Sequence, residues 1–458
     1  MKKAFISLFA AARAVSGVFF AGLVSGIFFV GVVSAQKQWE VPLLSSAGRA
    51  PLRAEFISFD TRPDAESGDR NRAEYYRPIE FKELKPGKFG AEVELPFQWQ
   101  ERRTFLHVEG LAMFNLYVGG EAVGFSQDSR APSEFDITPY IGEKLDILLE
   151  AFSGDGMAME NIVGAGTKPV RTYIYSQPKI RVGDYRVTAR PDSLARNGEL
   201  KIDVAVANDA KSEESFAVGY DIYSPSGKLL YYNIREVKLE PGGRDTVRFD
   251  DVIQGAMQNL WSAATPSLYK TTIYIRYRGR FIEYIPFNVG FGATSFERES
   301  VMRNGKAIDI KPVRYNAAST RPATESRLKE LKRSGYNTIY VDYPQPYWFY
   351  DLCDLQGLYV VDQANNNTDT GRGNPDIGGA LANDPTLADV FTERALTAYK
   401  RSANHVCIIG WSLGGDCGNG YNMYRAYKLL KAEGDPRPVV YRDAGGEWNN
   451  DVVLPPAR

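Results

Sequence analysis

Four short polar residues and one glycine near the carboxyl end of the sequence are its candidates for ligand chemistry. All of them end or follow apolar runs of strand length, and they are Asp362, Gln363, Asn365, Gly415 and Asp416. Small polar ligands are held by several hydrogen bonds to such groups beside an apolar face, and Trp411 is placed to supply that face. Tryptophan is more often part of a hydrophobic core, so a structural role for Trp411 stays open.

The apolar runs that carry these residues alternate with helical segments. Strands are predicted at residues 313–315, 337–341, 358–362, 406–411, 438–441 and 451–454, with helices at 346–356, 384–401 and 421–433. Short apolar strands separated by helices indicate a parallel sheet with right-handed crossovers. A closed barrel of this type has eight strands and typically ~250 residues, so residues 291–458 are predicted to form a partial (β/α)8 TIM barrel of about six strands.

The part of the sequence before residue 291 has the pattern of β-sandwiches. Residues 36–178 contain short alternating strands broken by Gly, Pro and Asp, which is typical of an antiparallel sandwich. Residues 179–290 contain about seven strands and several Gly/Pro turns, which is typical of an immunoglobulin-like sandwich. The sequence therefore predicts a multidomain protein of β and α/β regions.

The composition excludes several classes of protein. Hydrophobic residues make up 44% and charged residues 24% of the chain, which argues against a disordered or collagen-like protein. Lys+Arg 55 against Asp+Glu 56 gives a net charge of −1, so there is no electrostatic footprint for nucleic acid. Three cysteines rule out a disulfide framework, and two histidines rule out a His-rich metal centre.

Residues 1–35 are predicted to form a secretory signal peptide. Cations precede the apolar run 15–33, which ends in the small-x-small sequence Val33-Ser34-Ala35 before Gln36. An uncleaved anchor is the alternative, because the run is nearly long enough to span a bilayer. No cysteine lies near the junction, which argues against a lipid anchor. We therefore expect export to the periplasm, the outer surface or the extracellular space.

Motifs spread over nearly the whole chain after residue 35 follow the order found in one enzyme family. They are residues 124–130 (GFSQDSR), 132–138 (PSEFDIT), 261–269 (WSAATPSLY), 350–354 (YDLCD), 357–362 (GLYVVD) and 408–414 (IIGWSLG). Together they resemble glycoside hydrolase family 2, the β-galactosidase group. The resemblance implies a jelly-roll sugar-binding sandwich at residues 36–178, then an immunoglobulin-like sandwich and a (β/α)8 barrel with retaining glycoside chemistry.

The resemblance also assigns roles to the pair Gly415-Asp416. A retaining glycosidase uses two carboxyl groups ~5–5.5 Å apart, one as acid/base and one as nucleophile. In the family the acid/base is the Glu of an Asn-Glu pair, and Gly415-Asp416 occupies that place. Asp416 is one methylene shorter, which makes it either a weakened proton donor or a loop carboxylate without a catalytic role. The family's nucleophile lies on a strand later than Arg458, so we expect this sequence to lack it.

Other family positions fall on residues whose roles are less direct. Asp155 lies in a loop that in the family reaches the sugar from the jelly roll. The family's magnesium ligands fall on Asn367 and Asp369, whose oxygens suit a hard cation together with that of Asp416. Solvated loop polar groups without a metal are the alternative, so Mg²⁺ stays open and no other cofactor is expected. His107 and His405 match no catalytic position, and we interpret both as structural.

Two functions follow from these expectations. The first is an exported β-galactosidase-like protein of carbohydrate metabolism that is catalytically impaired and binds a glycan or a protein partner. The second is an active retaining glycosidase whose missing barrel strands are supplied by another chain or belong to a longer gene from which this sequence is truncated. A partial barrel leaves an open edge, and exposed edges recruit other strands. We therefore expect a protein partner or a second copy to cover it, with residues after about Val439 poorly ordered otherwise.

Overall fold

The computed structural model of the protein describes residues 47–369 and 380–457. The predicted signal peptide at residues 1–35 lies outside the described residues. Within these two ranges no helix is both long enough and apolar enough to cross a bilayer.

Two antiparallel sheets form the first sandwich, which follows helix α1 (Arg62–Ser67). The strands are β1 (Tyr76–Pro78), β2 (Lys82–Lys85), β3 (Lys88–Glu94), β4 (Arg103–Leu111), β5 (Phe114–Val118), β6 (Glu121–Ser126), β7 (Ser133–Asp136), β8 (Lys144–Ala151) and β9 (Thr167–Gln177). One sheet has the order β1-β9-β4-β7 and the other β2-β3-β8-β5-β6. Leu106, Phe114 and Leu149 meet in the core between them. The predicted jelly-roll sandwich is confirmed, with the one-turn helix α2 (Asp155–Ala158) inserted before β9.

The second sandwich also pairs two antiparallel sheets. Its strands are β10 (Ile180–Pro191), β11 (Gly198–Asn208), β12 (Glu214–Tyr223), β13 (Leu229–Leu239), β14 (Arg244–Ile253), β15 (Tyr269–Tyr277) and β16 (Arg280–Val289). The sheet orders are β10-β11-β14 and β13-β12-β15-β16. On β11, Leu200 and Ile202 are buried while Lys201 between them is exposed, which is the alternation that the sequence predicts. The immunoglobulin-like fold is therefore confirmed.

A parallel sheet with crossover helices forms the last region. After a small antiparallel sheet of β17 (Thr294–Glu297), β18 (Ser300–Arg303) and β19 (Lys306–Ala307), the parallel strands are β20 (Pro312–Arg314), β21 (Thr338–Tyr340), β22 (Tyr359–Gln363), β23 (Ile408–Ser412) and β24 (Val439–Val440). The helices are α3 (Arg321–Arg333), α4 (Tyr347–Gln356), α5 (Ala388–Ser402) and α6 (Tyr421–Ala432). The strands lie side by side in chain order, as in part of a (β/α)8 barrel.

The described part of the barrel has five parallel strands, not the six that the sequence indicates. Residues 451–454 form no strand; Asp451 donates its backbone N–H to the carbonyl of Val439 (2.9 Å) as a single bond. Farther on, the Tyr340 hydroxyl donates to the carbonyl of Pro455 (3.1 Å) and Val452 is buried. The segment after β24 thus packs back towards β21 and makes defined contacts, and cover of this edge by another chain stays a prediction.

A buried ionic network, the ionic junction, joins the first sandwich to helix α5. Its members are Arg53, Glu55, Arg70, His107, Glu109, Glu134, Arg171 and Arg401. His107 contacts Glu109 through Nε2 (2.9 Å) and Glu134 through Nδ1 (3.2 Å). Ionised carboxylates only accept hydrogen bonds, so both ring nitrogens must donate and His107 is a cation. Burial alone would lower the pKa of His107, but the hydrogen bonds to these two carboxylates raise it above its usual value.

The charge on His107 should make stability depend on pH. A group whose pKa is raised by folding stabilises fully below its unfolded value of about 6.5, and this stabilisation is lost as the pH rises through the folded value. We expect the free energy of unfolding to fall as the pH rises above about 6.5, and to fall less in His107→Gln. Denaturant titrations between about pH 6 and 9 measure both slopes.

The comparison needs one control, because the other histidine titrates in the same direction. Burial lowers the pKa of His405 and the adjacent Asp354 raises it, with a net rise. Both proteins should therefore carry His405→Gln. Identical pH profiles with and without His107→Gln would show that His107 is neutral in the folded protein.

Candidate functional site

A cavity of about 280 Å³ lies at the carboxyl ends of the parallel strands. Its walls come from residues that end or follow these strands and from one loop of the first sandwich. The lining residues are Ile162, Val163, Arg314, Asn316, Asp342, Tyr343, Gln363, Asn367, Gly415, Asp416 and Arg442. Active sites of (β/α)8 barrels lie at this end of the strands, so this cavity is the candidate functional site.

Asp342 is the centre of hydrogen bonding on the cavity floor. Its carboxylate pairs with Arg314 (2.5 Å) and accepts a hydrogen bond from Asn316 Nδ2 (2.8 Å). Its backbone carbonyl accepts from Gln363 Nε2 (2.8 Å) and Asn367 Nδ2 (3.0 Å). The polar side chains of the floor are therefore held by one another, which fixes their positions before any ligand arrives.

Neighbouring residues at the end of β22 face opposite sides of the sheet. Gln363 lines the cavity, whereas the carboxylate of Asp362 accepts hydrogen bonds from the Tyr350 hydroxyl (2.7 Å) and from Ser402 (2.7 Å). Burial raises the pKa of Asp362 in this position between the sheet and the helices. Because successive strand residues alternate, the structure brings Gln363 but not Asp362 to the site.

The same alternation removes Trp411 from the cavity. Its ring is 2% exposed, lies edge-on to Tyr399 (4.9 Å between centroids) and is covered by the guanidinium of Arg437 (4.7 Å). The next residue, Ser412, faces the cavity side and donates to Gln363 Oε1 (3.2 Å). Trp411 is therefore a core residue without an open face for a sugar ring.

Residues 365–367 connect the barrel to the first sandwich through hydrogen bonds. Asn365 is fully buried and donates to the carboxylate of Asp128 (2.7 Å), so it lies behind the cavity wall. Asn367 accepts from the backbone N–H of Ile162 (3.1 Å) and donates its own backbone N–H to Met159 (2.8 Å). These contacts place one loop of the sandwich over the cavity. The side chain of Asp155, the residue predicted to reach in from this domain, is outside the described part of the structure.

Gly415 and Asp416 form one wall of the cavity. Neither residue has the features of a proton donor. A side chain at position 415 would begin 2.9 Å from Asn367 Oδ1 and 3.2 Å from Gln363 Nε2, so this wall tolerates only glycine without movement. Asp416 has φ +51°, a left-handed conformation that is uncommon for a residue with a side chain. Its carboxylate is ion-paired with Arg442.

The structure does not bring Asn367 and Asp369, the residues predicted to hold Mg²⁺, together at the cavity, and a magnesium site stays a prediction. The side-chain oxygen of Asn367 already accepts from Gln363 Nε2 (3.0 Å), and the exposed Asp369 does not line the cavity. In the described ranges one cluster has carboxylate and imidazole groups close enough for a metal, namely Glu55, His107 and Glu109. Arginines of the ionic junction already neutralise its carboxylates, so this cluster does not suit a cation.

Sequence reasoning missed the two arginines that dominate the rim of the cavity. Arg314 ends β20 and Arg442 follows β24, so both occupy positions where barrel side chains meet the site. Arg314 lies within a predicted strand and Arg442 follows one, and these places were available as a signal. Their partners, Asp342 and Asp416, follow other strands, and the sequence contains no sign of that pairing.

Comparison with known families gives the chain an ancestry that fits this geometry. The model described as "Glycosyl hydrolases family 2, sugar binding domain" matches residues 79–160. Its companion "Glycosyl hydrolases family 2" matches residues 180–291, and "Glycosyl hydrolases family 2, TIM barrel domain" matches residues 319–455. The chain belongs to glycoside hydrolase family 2. The resemblance noted from the sequence motifs is thereby confirmed, in a divergent member of the family.

Curated family 2 relatives include long β-galactosidases. The chain is 31% identical over 399 residues to a β-galactosidase of Aeromonas hydrophila. The matched region covers 81% of this chain and 37% of that protein. The chain is 28% identical over 392 residues to one of Pseudoalteromonas haloplanktis, with 81% and 36% covered. The chain thus spans little more than a third of the length of these relatives.

Solved family 2 structures share the fold at low sequence identity. A β-glucuronidase of Bacteroides uniformis superposes with a TM-score of 0.63 and 18% identity, over 80% of this chain and 46% of that one. A β-glucuronidase of Parabacteroides merdae superposes with a TM-score of 0.64 and 16% identity, over 84% and 50%. These likenesses support the three-part architecture.

The requirement for glycine at position 415 can be tested by adding one methyl group. We expect Gly415→Ala to lower the free energy of unfolding by about 1–3 kcal/mol, because the new carbon overlaps the amides of the floor. Gly410→Ala is the matched control on β23, the strand that precedes Gly415, since its added carbon would meet its nearest neighbour at an ordinary 3.5 Å. Chemical denaturation measures both variants. Equal stabilities would mean that the wall has room for a side chain.

Proposed function

We propose that this chain is an exported, β-galactosidase-like member of glycoside hydrolase family 2 that binds glycans weakly and hydrolyses them poorly. The observation that carries the proposal is the cavity at the carboxyl ends of the barrel strands. Its described carboxylates, Asp342 and Asp416, are both ion-paired with arginines. The cavity supports binding of a small polar ligand, and the ion pairs argue against efficient acid catalysis.

The volume and lining of the cavity suit a small polar ligand. About 280 Å³ is close to the lower end of the range for small-molecule sites. Arg314 and Arg442 each keep guanidinium N–H groups beyond those used in their ion pairs. These donors, together with the carboxylate oxygens and the Tyr343 ring, offer hydroxyl groups several partners. Affinity should nevertheless be weak, on the order of millimolar, because the floor amides already bond to one another.

Poor hydrolysis follows from the state of the two carboxylates. A general acid has to hold a proton and deliver it to the leaving oxygen, and losing it typically costs ~10²–10⁴ in rate. Asp416 is instead paired with Arg442 and belongs to a backbone turn at positive φ. Asp342 is engaged by Arg314 and Asn316. Neither carboxylate is placed as an unengaged acid or nucleophile.

An active retaining glycosidase is the second candidate. It is favoured by the identity of about 30% to β-galactosidases that are much longer than this chain. In that case further barrel strands and a second carboxylate would be supplied from outside the described residues. Such an enzyme would hydrolyse the O-glycosidic bond of a β-galactoside, and its turnover would depend on Asp416.

One experiment separates the two functions. We expect saturation-transfer NMR of the purified protein with galactose- and glucose-containing oligosaccharides to show binding, and aryl β-galactosides to be hydrolysed no faster than background. Asp416→Ala should weaken the NMR signal. Asp389→Ala is the matched control, because it removes a comparable Arg–Asp pair on α5 and α6 away from the cavity. Turnover that Asp416→Ala abolishes would establish the glycosidase, and absence of signal with every neutral glycan would refute binding.

Export can be tested at the amino terminus. If residues 1–35 are a cleaved signal peptide, the protein recovered from its natural host should begin at Gln36. Amino-terminal sequencing or intact-mass measurement of the secreted or periplasmic fraction would show this. Recovery of a chain beginning at Met1 in the membrane fraction would instead support the uncleaved anchor.

A further inference from the structure

The cavity at the carboxyl ends of the barrel strands has one aromatic side chain among its described lining residues. That side chain is Tyr343, which lies beyond the end of β21. The sequence assigned the apolar face of the site to Trp411, which lies in the core instead. The other apolar side chains of the lining are Ile162 and Val163, on the loop that the first sandwich places over the cavity. Tyr343 and this loop therefore supply the apolar part of the described wall.

Arg130 covers one face of the Tyr343 ring. Its guanidinium carbon lies 4.3 Å from the ring centroid, which is the distance of a cation–π contact. The same guanidinium donates from Nη2 to the backbone carbonyls of Val163 (3.1 Å) and Gly164 (2.9 Å), so it contacts both the ring and the sandwich loop. Arg130 does not line the cavity, whereas Tyr343 does. The surface of Tyr343 that bounds the cavity is therefore the part that Arg130 leaves uncovered.

The backbone of Tyr343 is held in place before a ligand arrives, but its hydroxyl is not engaged. The backbone carbonyl accepts from Nε2 of Gln345 (2.5 Å), a buried side chain that also donates to Asn316 Oδ1 (3.1 Å). In the described ranges the Tyr343 hydroxyl makes no hydrogen bond, whereas the amides of Gln363 and Asn367 on the floor bond to each other (3.0 Å). A phenol hydroxyl can both donate and accept, so Tyr343 offers the cavity a polar group together with an apolar ring.

We propose that Tyr343 is the main sugar-contacting side chain of the cavity. The uncovered face of its ring packs against the C–H groups of one pyranose ring, and its hydroxyl forms a hydrogen bond with a sugar hydroxyl. Arg130 holds the ring from the other side, and Ile162 and Val163 extend the apolar surface. An apolar wall with a few placed polar groups is the usual composition of a small-molecule site. The inference rests on the glycan binding proposed above and adds the residue on which the affinity depends.

Two substitutions at Tyr343 separate the ring from the hydroxyl. Saturation-transfer NMR titrations with the galactose- and glucose-containing oligosaccharides measure the dissociation constant of each variant. We expect Tyr343→Phe, which keeps the ring, to raise this constant about two- to tenfold through the loss of one hydrogen bond. Tyr343→Ala should raise it by more than about tenfold, because it also removes the apolar surface of the ring. Tyr232→Ala is the control and should leave the constant unchanged, since Tyr232 is exposed on β13 of the second sandwich and does not line the cavity.

Melting temperatures show whether each variant is folded, and crystals of the unaltered protein give a readout that needs no substitution. In crystals soaked with the same oligosaccharide, carbon atoms of one sugar ring should lie within about 4.5 Å of the Tyr343 ring. Equal dissociation constants for Tyr343→Ala and Tyr232→Ala, or a sugar bound in the cavity away from Tyr343, would overturn this inference and leave the proposed glycan binding intact. Absence of signal for the unaltered protein with every neutral glycan would refute glycan binding, and this inference with it.

Discussion

Asp342 determines how the candidate site is built. Its carboxylate and its backbone carbonyl together hold side chains from the ends of β20 and β22, including Arg314 and Gln363. Without these bonds the amides of the floor would be free to turn towards solvent or ligand. With them, the hydrogen-bonding capacity that remains lies mainly at the rim, where Arg314 and Arg442 are. The side chains of the site are therefore fixed before a ligand binds, and the contacts that fix them are contacts with one another.

Under the proposed function, a glycosidase scaffold is retained while its chemistry weakens. Family 2 ancestry accounts for the two sandwiches and the barrel strands. Retaining hydrolysis, however, needs one carboxyl group that holds a proton and another that is free to attack. In the cavity of this chain, arginines engage both described carboxylates. A change from catalysis to binding requires no change of fold, because function resides in the site and not in the architecture.

Much of the fold could be predicted because its signals are local. The alternation of buried and exposed residues on β11 depends only on neighbouring residues and could be read from the sequence. The same holds for Gly357, which ends α4 at φ 69°. The last predicted strand failed because residues 451–454 are apolar enough for a strand, but the segment makes separate bonds instead, from Asp451 to Val439 and from Tyr340 to Pro455. That choice depends on partners distant in sequence.

The site could be predicted only in part, for the same physical reason. Gln363, Gly415 and Asp416 do lie at the cavity, because they end or follow barrel strands. Asp362 and Trp411 do not, because adjacent strand residues face opposite sides and the sequence does not show which side is inward. The arginines of the rim were missed because an ion pair between strands leaves no trace in local pattern.

Whether the barrel cavity holds a glycan without cleaving it can be seen in a crystal structure after soaking. Crystals of the protein would be soaked at about 50 mM in a galactose-containing disaccharide, well above the expected millimolar dissociation constant. The account predicts an intact disaccharide or its terminal ring between the Arg314–Asp342 and Asp416–Arg442 pairs, with the glycosidic bond unbroken. A cleaved product in the cavity, or a sugar covalently attached to a carboxylate, would contradict it.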